Sequence, residues 1–390
     1  MIINSLLDTD LYKLTMMQSV LHQFPGTNVT YEFKCRNSGI DLKPIIKEVK
    51  EEIKHLCTLH FSEEELSFLN KLSFISTDFI QFLRIFKLNE DFITISEDDF
   101  GVTIKGPWLH TILFEVPVLS IINEVYFRYT VENADFEKGR RRLNEKIDLI
   151  KDSNSTDLNF KFSDFGTRRR FSRQWHKDIV SILKNEVPGN LFGTSNVLLA
   201  KDLDLTPIGT MAHEWLMACQ NLGPKLADSQ KHALEVWVQE YRGDLGIALS
   251  DVVGFDAFLN DFDLYFAKLF DGCRHDSGDP YDWCSKLIAH YKKLKINPMT
   301  KNAVFSDGLN FKKAIDIASV FKGKILTSFG IGTNLTNDLG YTPLQIVIKM
   351  VECENSPVAK ISDSSGKQMC NDPDFLKYLK KVYKIQGDTV

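Results

Sequence analysis

Hydrophobic positions change their rhythm twice along this chain. Leu11, Leu14, Met17, Leu21 and Phe24 recur at helical spacing, behind Asp8-Thr9-Asp10 as an N-cap and ahead of Pro25-Gly26 as a stop. Tyr12, Lys13 and Gln18 fall on the other faces. Val29 to Cys35 alternates, which predicts a half-buried strand, and Ile45 to Leu59 predicts an amphipathic helix. Ser62-Glu-Glu-Glu65 reads as a capping box before Leu66, Leu69 and Leu72. Phe92 to Gly106 and then Trp108 to Val116 predict three successive strands, and Val118 to Thr130 predicts a long buried helix. This first third reads as α+β and carries little evident chemistry.

After residue 150 a short apolar run repeatedly ends in Gly, Ser, Asp, Thr or Asn, and a helical pattern follows. The runs are Phe160 to Gly166, Leu191 to Asn196, Pro207 to Thr210, Leu245 to Asp251, Gly272 to Asp279, Val304 to Gly308 and Ile325 to Gly332. Strands alternating with helices through short loops specify parallel βα units. Such a series predicts an α/β fold, an irregular (β/α) barrel whose polar loops gather at one end of the strands. An open doubly wound sheet stays as the alternative, because strand order is not written in the pattern. Beyond 340, Gln345 to Met350 and Pro357 to Ile361 predict strands, followed by a Lys-rich helix from Phe375 to Tyr383. The expected division is an N-terminal α+β domain over 1–130 and a barrel catalytic domain over 131–340. An extension over 341–390 then packs on the N-terminal domain and completes it with strands.

Composition narrows the class. A chain of 390 residues with 43% hydrophobic and 25% charged residues is an ordinary globular protein. Its 47 basic and 52 acidic side chains leave −5, and Arg140 to Arg142 and Arg168 to Arg170 are the only notable like-charge runs. That argues against nucleic acid as a partner. Seven scattered cysteines without a Cys-x-x-Cys pair read as reduced thiols of a cytoplasmic protein, neither a disulfide framework nor a zinc site. Met1 to Leu14 lacks the basic start and apolar core of a signal peptide. The most apolar window, Trp108 to Val131, is interrupted by His110, Glu115, Pro117, Asn123 and Glu124, so no membrane span is expected.

The densest chemistry lies at Thr206-Pro-Ile-Gly-Thr-Met-Ala-His-Glu-Trp215. An apolar segment breaks at Gly209-Thr210 and a helix begins near Ala212, which puts His213 in the first turn. Unpaired N–H groups and the positive end of the dipole disfavour an imidazolium there and favour a bound anion. A histidine that accepts a phosphoryl group needs both properties; one merely satisfied by a neighbour needs neither. The other strand ends carry Asp164, Arg168, Arg169, Ser195, Asn196, Asp251, Arg274, Asp276, Asp279, Asp307, Gly308, Gly330 and Gly332. Arginine forks suit anions, carboxylates suit ribose hydroxyls or Mg²⁺, and glycine turns can cradle phosphate. Taken singly, each has a plain reading as a helix cap, a turn or a solvated face. Seven consecutive loops of this kind point to an anion site. A zinc-protease helix, a dinucleotide fingerprint, a P-loop and a nucleophile elbow are all absent from the sequence.

With these segments assembled, the chain resembles the nicotinate phosphoribosyltransferases, a type II phosphoribosyltransferase family. The motifs are Asp8-Thr-Asp-Leu-Tyr-Lys-Leu-Thr-Met16, Tyr31-Glu-Phe-Lys34, Phe162-Ser-Asp-Phe-Gly-Thr-Arg-Arg-Arg170 and Gly193-Thr-Ser-Asn196. They continue through Gly209-Thr-Met-Ala-His-Glu-Trp215, Arg274-His-Asp-Ser-Gly-Asp-Pro280, Phe305-Ser-Asp-Gly308 and Phe329-Gly-Ile-Gly332, nearly end to end. The resemblance implies ATP-coupled synthesis of nicotinate mononucleotide from nicotinate and 5-phosphoribosyl 1-pyrophosphate, through a phosphohistidine, in NAD salvage. It implies Mg²⁺ carried by the substrate near Asp279, small molecules as the only other partners, and a homodimer with shared active sites. By the same resemblance His213 is the phosphorylated residue and Asp251 orients it. Phe165 stacks on the pyridine ring and Tyr12 covers its other face, in related dimers from the neighbouring subunit. Arg168 and Ser195 join the substrate site, and Arg274 pairs with the nicotinate carboxylate or an adjacent phosphate. Asp276 and Asp279 hold the ribose and Mg-pyrophosphate end, while Asp307, Gly308, Gly332 and Thr333 take the 5′-phosphate. A nicotinamide-using relative is the near rival; there an aspartate stands where this chain has Ser195, and Ser195 avoids that repulsion of the acid. A non-catalytic barrel binding anionic metabolites is the rival of another class.

Overall fold

The computed structural model describes residues 1–155, 158–364 and 367–385. Its strands, in chain order, are β1 (Asn28–Cys35), β2 (Ile93–Ile95), β3 (Val102–Pro107), β4 (Phe162–Asp164), β5 (Leu191–Thr194) and β6 (Arg242–Leu245). They continue with β7 (Ile247–Leu249), β8 (Gly272–His275), β9 (Asn302–Phe305), β10 (Leu326–Ile331), β11 (Ile346–Cys353) and β12 (Ser356–Pro357). Two sheets form from them.

The first sheet is antiparallel, in the order β12-β11-β1-β3-β2. Its centre joins the two ends of the chain, with Tyr31 opposite Met350, Phe33 opposite Ile348 and Cys35 opposite Ile346. Alternation explains the pairing: Ile346, Ile348 and Met350 turn the same buried face toward the core as Val29 and Tyr31. The C-terminal strand therefore completes the N-terminal sheet, as expected.

The second sheet is parallel, in the order β5-β4-β10-β9-β8-β7, and a parallel bridge from Thr194 to Pro207 adds a seventh position beside β5. These are the seven strand-to-loop units of the sequence. Aromatic rings fill the interior, with Phe305 and Phe329 stacked at 5.4 Å and Phe160 beside Phe329 at 5.3 Å. No ladder joins the Pro207 segment to β7 among the described residues. His213, six residues past Pro207, nevertheless hydrogen-bonds Asp251, two residues past β7, at 2.9 Å. The irregularity of the barrel is this gap, and side chains rather than backbone span it.

Three local expectations fail. Trp108 to Val116 is not a strand: Trp108–Thr111 is a short helix, and Glu115–Thr130 a long one. The run is buried on every side, so it has no period to read, and Pro117 falls in a first turn where its missing N–H is harmless. By length and composition Trp108–Thr130 could cross a bilayer, but 94% of its apolar window is buried inside the fold, as a core helix. Pro357 to Ile361 is not a strand beyond Pro357: Val358 N still bonds Val351 O on β11 at 3.1 Å, and Lys360 makes an isolated bridge to Met369 instead. Finally, Asp10 stands at the N-cap of Leu11–Gln23 without capping it, because its carboxylate is used elsewhere. The capping box at Ser62 and Glu65 is present with both of its bonds.

Candidate active site

The helix His213–Leu222 begins at His213 itself, after Ala212 in extended conformation. His213 is 8% exposed, and its Nε2 lies 2.9 Å from Asp251 Oδ1, 3.4 Å from Asp276 Oδ2 and 2.8 Å from Lys360 Nζ. A single ring nitrogen cannot donate to Asp251 and accept from Lys360 at once. With two carboxylates facing it, we assign the proton to Nε2, which leaves the lone pair on Nδ1. Nδ1 takes no hydrogen-bond partner among the described residues. Burial, with the Lys360 ammonium, holds the imidazole down to about 4, against the pull of Asp251. The side chain is thus neutral near pH 7, though burial and a lysine outweigh the helix terminus as the cause. Asp251 in turn accepts from Ser277 Oγ at 2.6 Å and from Lys360 at 2.7 Å. Burial would raise its carboxyl, and His213 and Lys360 hold it well below the usual range.

Arg274, the penultimate residue of β8, is 9% exposed and donates from Nη1 to Thr210 Oγ1 at 2.6 Å; its buried Nε has no partner among the described residues. Asp276, two residues on, accepts from Ser306 Oγ at 2.8 Å. Burial opposes its ionisation, but His213, Arg274 and Lys360 keep its carboxyl low. Asp279 is used differently. It is exposed and caps the helix Pro280–Lys293, accepting from Tyr281 N at 2.9 Å and Asp282 N at 2.8 Å. One carboxylate oxygen is therefore committed to the cap, and no contact joins Asp279 to the His213 cluster. Asp307 pairs with Lys367, whose Nζ also donates to the Asp276 carbonyl at 3.2 Å. Gly308 follows with φ +56°, left-handed backbone that favours glycine. Gly332 precedes a one-turn helix, Thr333–Thr336.

A second group gathers at the ends of β4 and β5. Phe165 lies half-buried outside the core, with its ring over Gly330; a Cβ there would come within 2.2 Å of Phe165 Cδ2. Only glycine leaves room for the ring. Ser195 Oγ donates to Asp10 Oδ1 at 2.7 Å, and Arg168 approaches Asp10 Oδ2 at 3.8 Å and Glu115 Oε1 at 3.3 Å. Burial raises the Asp10 carboxyl, and Arg168 and Ser195 oppose it. A carboxylate, that of Asp10, thus stands directly beside Ser195. Leu11 N donates to Ser195 O at 2.8 Å, so the start of the first helix is pinned to the end of β5 in the same chain. Tyr12 follows at once. Burial raises its phenol against the pull of Arg168. Behind this layer, Arg170 clamps Asp8 with bonds of 2.6 and 2.8 Å, both side chains 1% exposed, and Asn196 donates to the same carboxylate at 2.7 Å. Asp164 accepts from Thr194 Oγ1 at 2.6 Å and meets His176 Nε2 at 2.7 Å.

The first third is therefore not poor in chemistry, as its sequence suggested. Asp10, Lys13 and Glu115 all enter the site or its support. Lys360 is the largest omission. It lies 147 residues from His213 in sequence, inside a segment read as a strand, and nothing in the local pattern marks it. Lys349 on β11 is another; burial, against the pull of Glu115, brings it down to about 8. As a metal site, the ligand atoms of His213, Asp251 and Asp276 lie within 4.8 Å of one another. The Lys360 ammonium already neutralises Asp251, however, and Mg²⁺ takes oxygen ligands and keeps water. Of the three, Asp276 alone fits Mg²⁺, with phosphate oxygens completing the set.

Comparison with known proteins identifies the family. A model described as the nicotinate phosphoribosyltransferase (NAPRTase) family matches residues 160–387, and its N-terminal domain model matches residues 7–123. The chain is 56% identical to the nicotinate phosphoribosyltransferase of Acidovorax sp. (strain JS42), covering 99% of both. It is also 56% identical to the enzyme of that name from Cupriavidus necator, again over 99% of each. Among solved structures, nicotinate phosphoribosyltransferase from Vibrio cholerae superposes with a TM-score of 0.95 at 42% identity, over 99% of this chain and 95% of that one. The enzyme of that name from Porphyromonas gingivalis gives 0.93 at 33%, over 98% and 100%.

Proposed function

The chain belongs to the nicotinate phosphoribosyltransferase family, and from that premise we propose that it makes nicotinate mononucleotide and pyrophosphate from nicotinate and 5-phosphoribosyl 1-pyrophosphate. We further propose that ATP hydrolysis is coupled to this transfer through a phosphohistidine at His213, as a step of NAD salvage. The observation that carries the coupled part is the environment of His213: buried at a helix start, with Nε2 beside Asp251 and Nδ1 free of partners among the described residues.

Nδ1 attacks the γ-phosphorus of ATP; the Nδ1–P bond forms as the bond to the β,γ-bridging oxygen breaks and ADP leaves. The ring becomes cationic, and Asp251, with Asp276 behind it, stabilises that charge through the Nε2 proton. In the transfer step the pyridine nitrogen attacks the anomeric carbon. The N–C bond forms as the C–O bond to pyrophosphate breaks, through an oxocarbenium-like centre. A pyridine nitrogen carries no proton to lose, so positioning and charge carry the step. Phe165 supplies the ring face, Arg274 the guanidinium for the carboxylate, and Gly308 with Gly332 and Thr333 the phosphate end. Mg²⁺, held through Asp276 and phosphate oxygens, would lower the charge on the departing pyrophosphate. Water then hydrolyses the phosphohistidine and releases inorganic phosphate.

A nicotinamide-using activity is the second reading. Asp10 beside Ser195 keeps it open, because an amide could donate to that carboxylate. Product analysis with nicotinate against nicotinamide, in the presence of phosphoribosyl pyrophosphate, Mg²⁺ and ATP, separates the two. For the coupling, γ-labelled ATP should leave an acid-labile, base-stable phosphate on His213. His213→Asn should abolish labelling and ATP hydrolysis and keep a slow nucleotide synthesis. Label retained in His213→Asn overturns the phosphohistidine while leaving the transferase.

A further inference from the structure

Glu214, the neighbour of His213, is held from three elements. Its Oε1 accepts from Tyr31 Oη and Trp108 Nε1, each at 3.0 Å, and its Oε2 pairs with the Lys13 ammonium. Lys13 is wholly buried and has a second carboxylate, Glu115, at 2.5 Å. Glu115 holds Arg168, and Arg168 faces Asp10, which takes the Ser195 hydroxyl. Charges thus alternate along one line, Glu214, Lys13, Glu115, Arg168, Asp10, from the phosphoryl-acceptor turn to the ends of β4 and β5, buried except at Arg168, whose side chain is 39% exposed. Buried ion pairs add little stability over apolar packing, so one that joins two halves of a site invites another explanation.

We propose that Lys13 is a positioning residue that couples the two halves of the site, dividing its hydrogen bonds between Glu214 beside His213 and Glu115 behind Arg168. This rests on the phosphoryl-transfer reading of His213. The ammonium has three N–H donors and bonds both carboxylates at once, so a displacement of either carboxylate shifts the Nζ that the two share. A ligand that draws Glu214 therefore changes the hold on Arg168, and a ligand that draws Arg168 changes the hold on Glu214. Such linkage is reciprocal: a triphosphate on the His213 side and nicotinate on the Arg168 side alter each other's affinity by the same factor.

The test measures the nicotinate Kd of the full chain with and without β,γ-methylene ATP, which cannot transfer its phosphate. The wild type should show a ratio of about fivefold or more in either direction. Lys13→Met should bring the ratio to one, and Lys13→Arg should restore most of it. Glu115→Gln and Glu214→Gln keep the shape of the core and should each collapse the ratio, so the test stands even if Lys13→Met fails to fold. Lys301→Met, which removes a buried lysine bonded to the Phe270 carbonyl at the opposite strand ends, should leave the ratio intact. A wild-type ratio of one, or a ratio retained in Lys13→Met or in both glutamine variants, overturns the coupling and leaves the transferase standing. A ratio lost equally in Lys301→Met also overturns it, as an effect of stability alone. Absence of any nicotinate binding by the wild type overturns the functional reading itself.

Discussion

At the scale of single residues, burial and Lys360 together set the state of His213. Burial alone would depress the imidazole, and the ammonium 2.8 Å away depresses it further. The sign follows: the free base persists down to about pH 4, so the acid limb of ATP-dependent activity should lie below the ordinary histidine range. Lys360→Met should move that limb upward, measured as the pH profile of His213 labelling; an unmoved limb would assign the neutrality to burial alone. Asp8 makes a second case. Its clamp by Arg170 is buried on both sides, so Asp8→Ala leaves a guanidinium uncompensated and should cost about 3–5 kcal/mol in urea unfolding. His213, Asp251, Arg274 and Asp276 were legible because strand-end loops follow apolar runs that the eye can find. Lys360 and Lys13 were not. A lysine on a helix or in a tail reads as solvated, and only the packing of distant segments makes it a partner.

Among elements, the loops after β4 and β10 depend on each other. The Phe165 ring occupies the space where any side chain at Gly330 would begin. Gly330→Ala should push the ring aside and raise the KM for nicotinate at least tenfold, with a much smaller effect on the KM for ATP; equal changes in both would place the ring in the core. The parallel units were readable for a similar local reason, since each apolar run ended in a residue suited to a turn. Trp108 to Val116 was not, because complete burial erases the period that separates helix from strand. The Asp8-Thr9-Asp10 cap failed for a different reason. Its position was right, but a carboxylate that suits a helix start also suits Ser195 and Arg168, and the tertiary partners prevailed.

For the whole molecule, β11 matters most. It pairs with β1 along seven residues and occupies an inner place in the sheet, with β12 on its far side. A chain stopped after Leu344 keeps every strand of the parallel sheet but leaves β1 with a bare edge of unpaired N–H and C=O groups. Such a product should be insoluble or protease-sensitive within residues 28–107, measured by limited proteolysis and sedimentation; a soluble, resistant fragment would mean that β1 and β3 suffice. The strand order was legible only in part, because the tail's alternation predicted a strand but not which edge it would find. The same pairing sets a timetable for synthesis. As the chain leaves the ribosome, the parallel sheet has all its strands before β11 exists, whereas β1, made early, must wait for more than three hundred further residues. During that interval its apolar face and open edge are exposed to other nascent chains. The third of the protein translated first is the last that can finish folding, so holding chaperones should be found on the N-terminal segment, and slowing translation over the final stretch should prolong their stay.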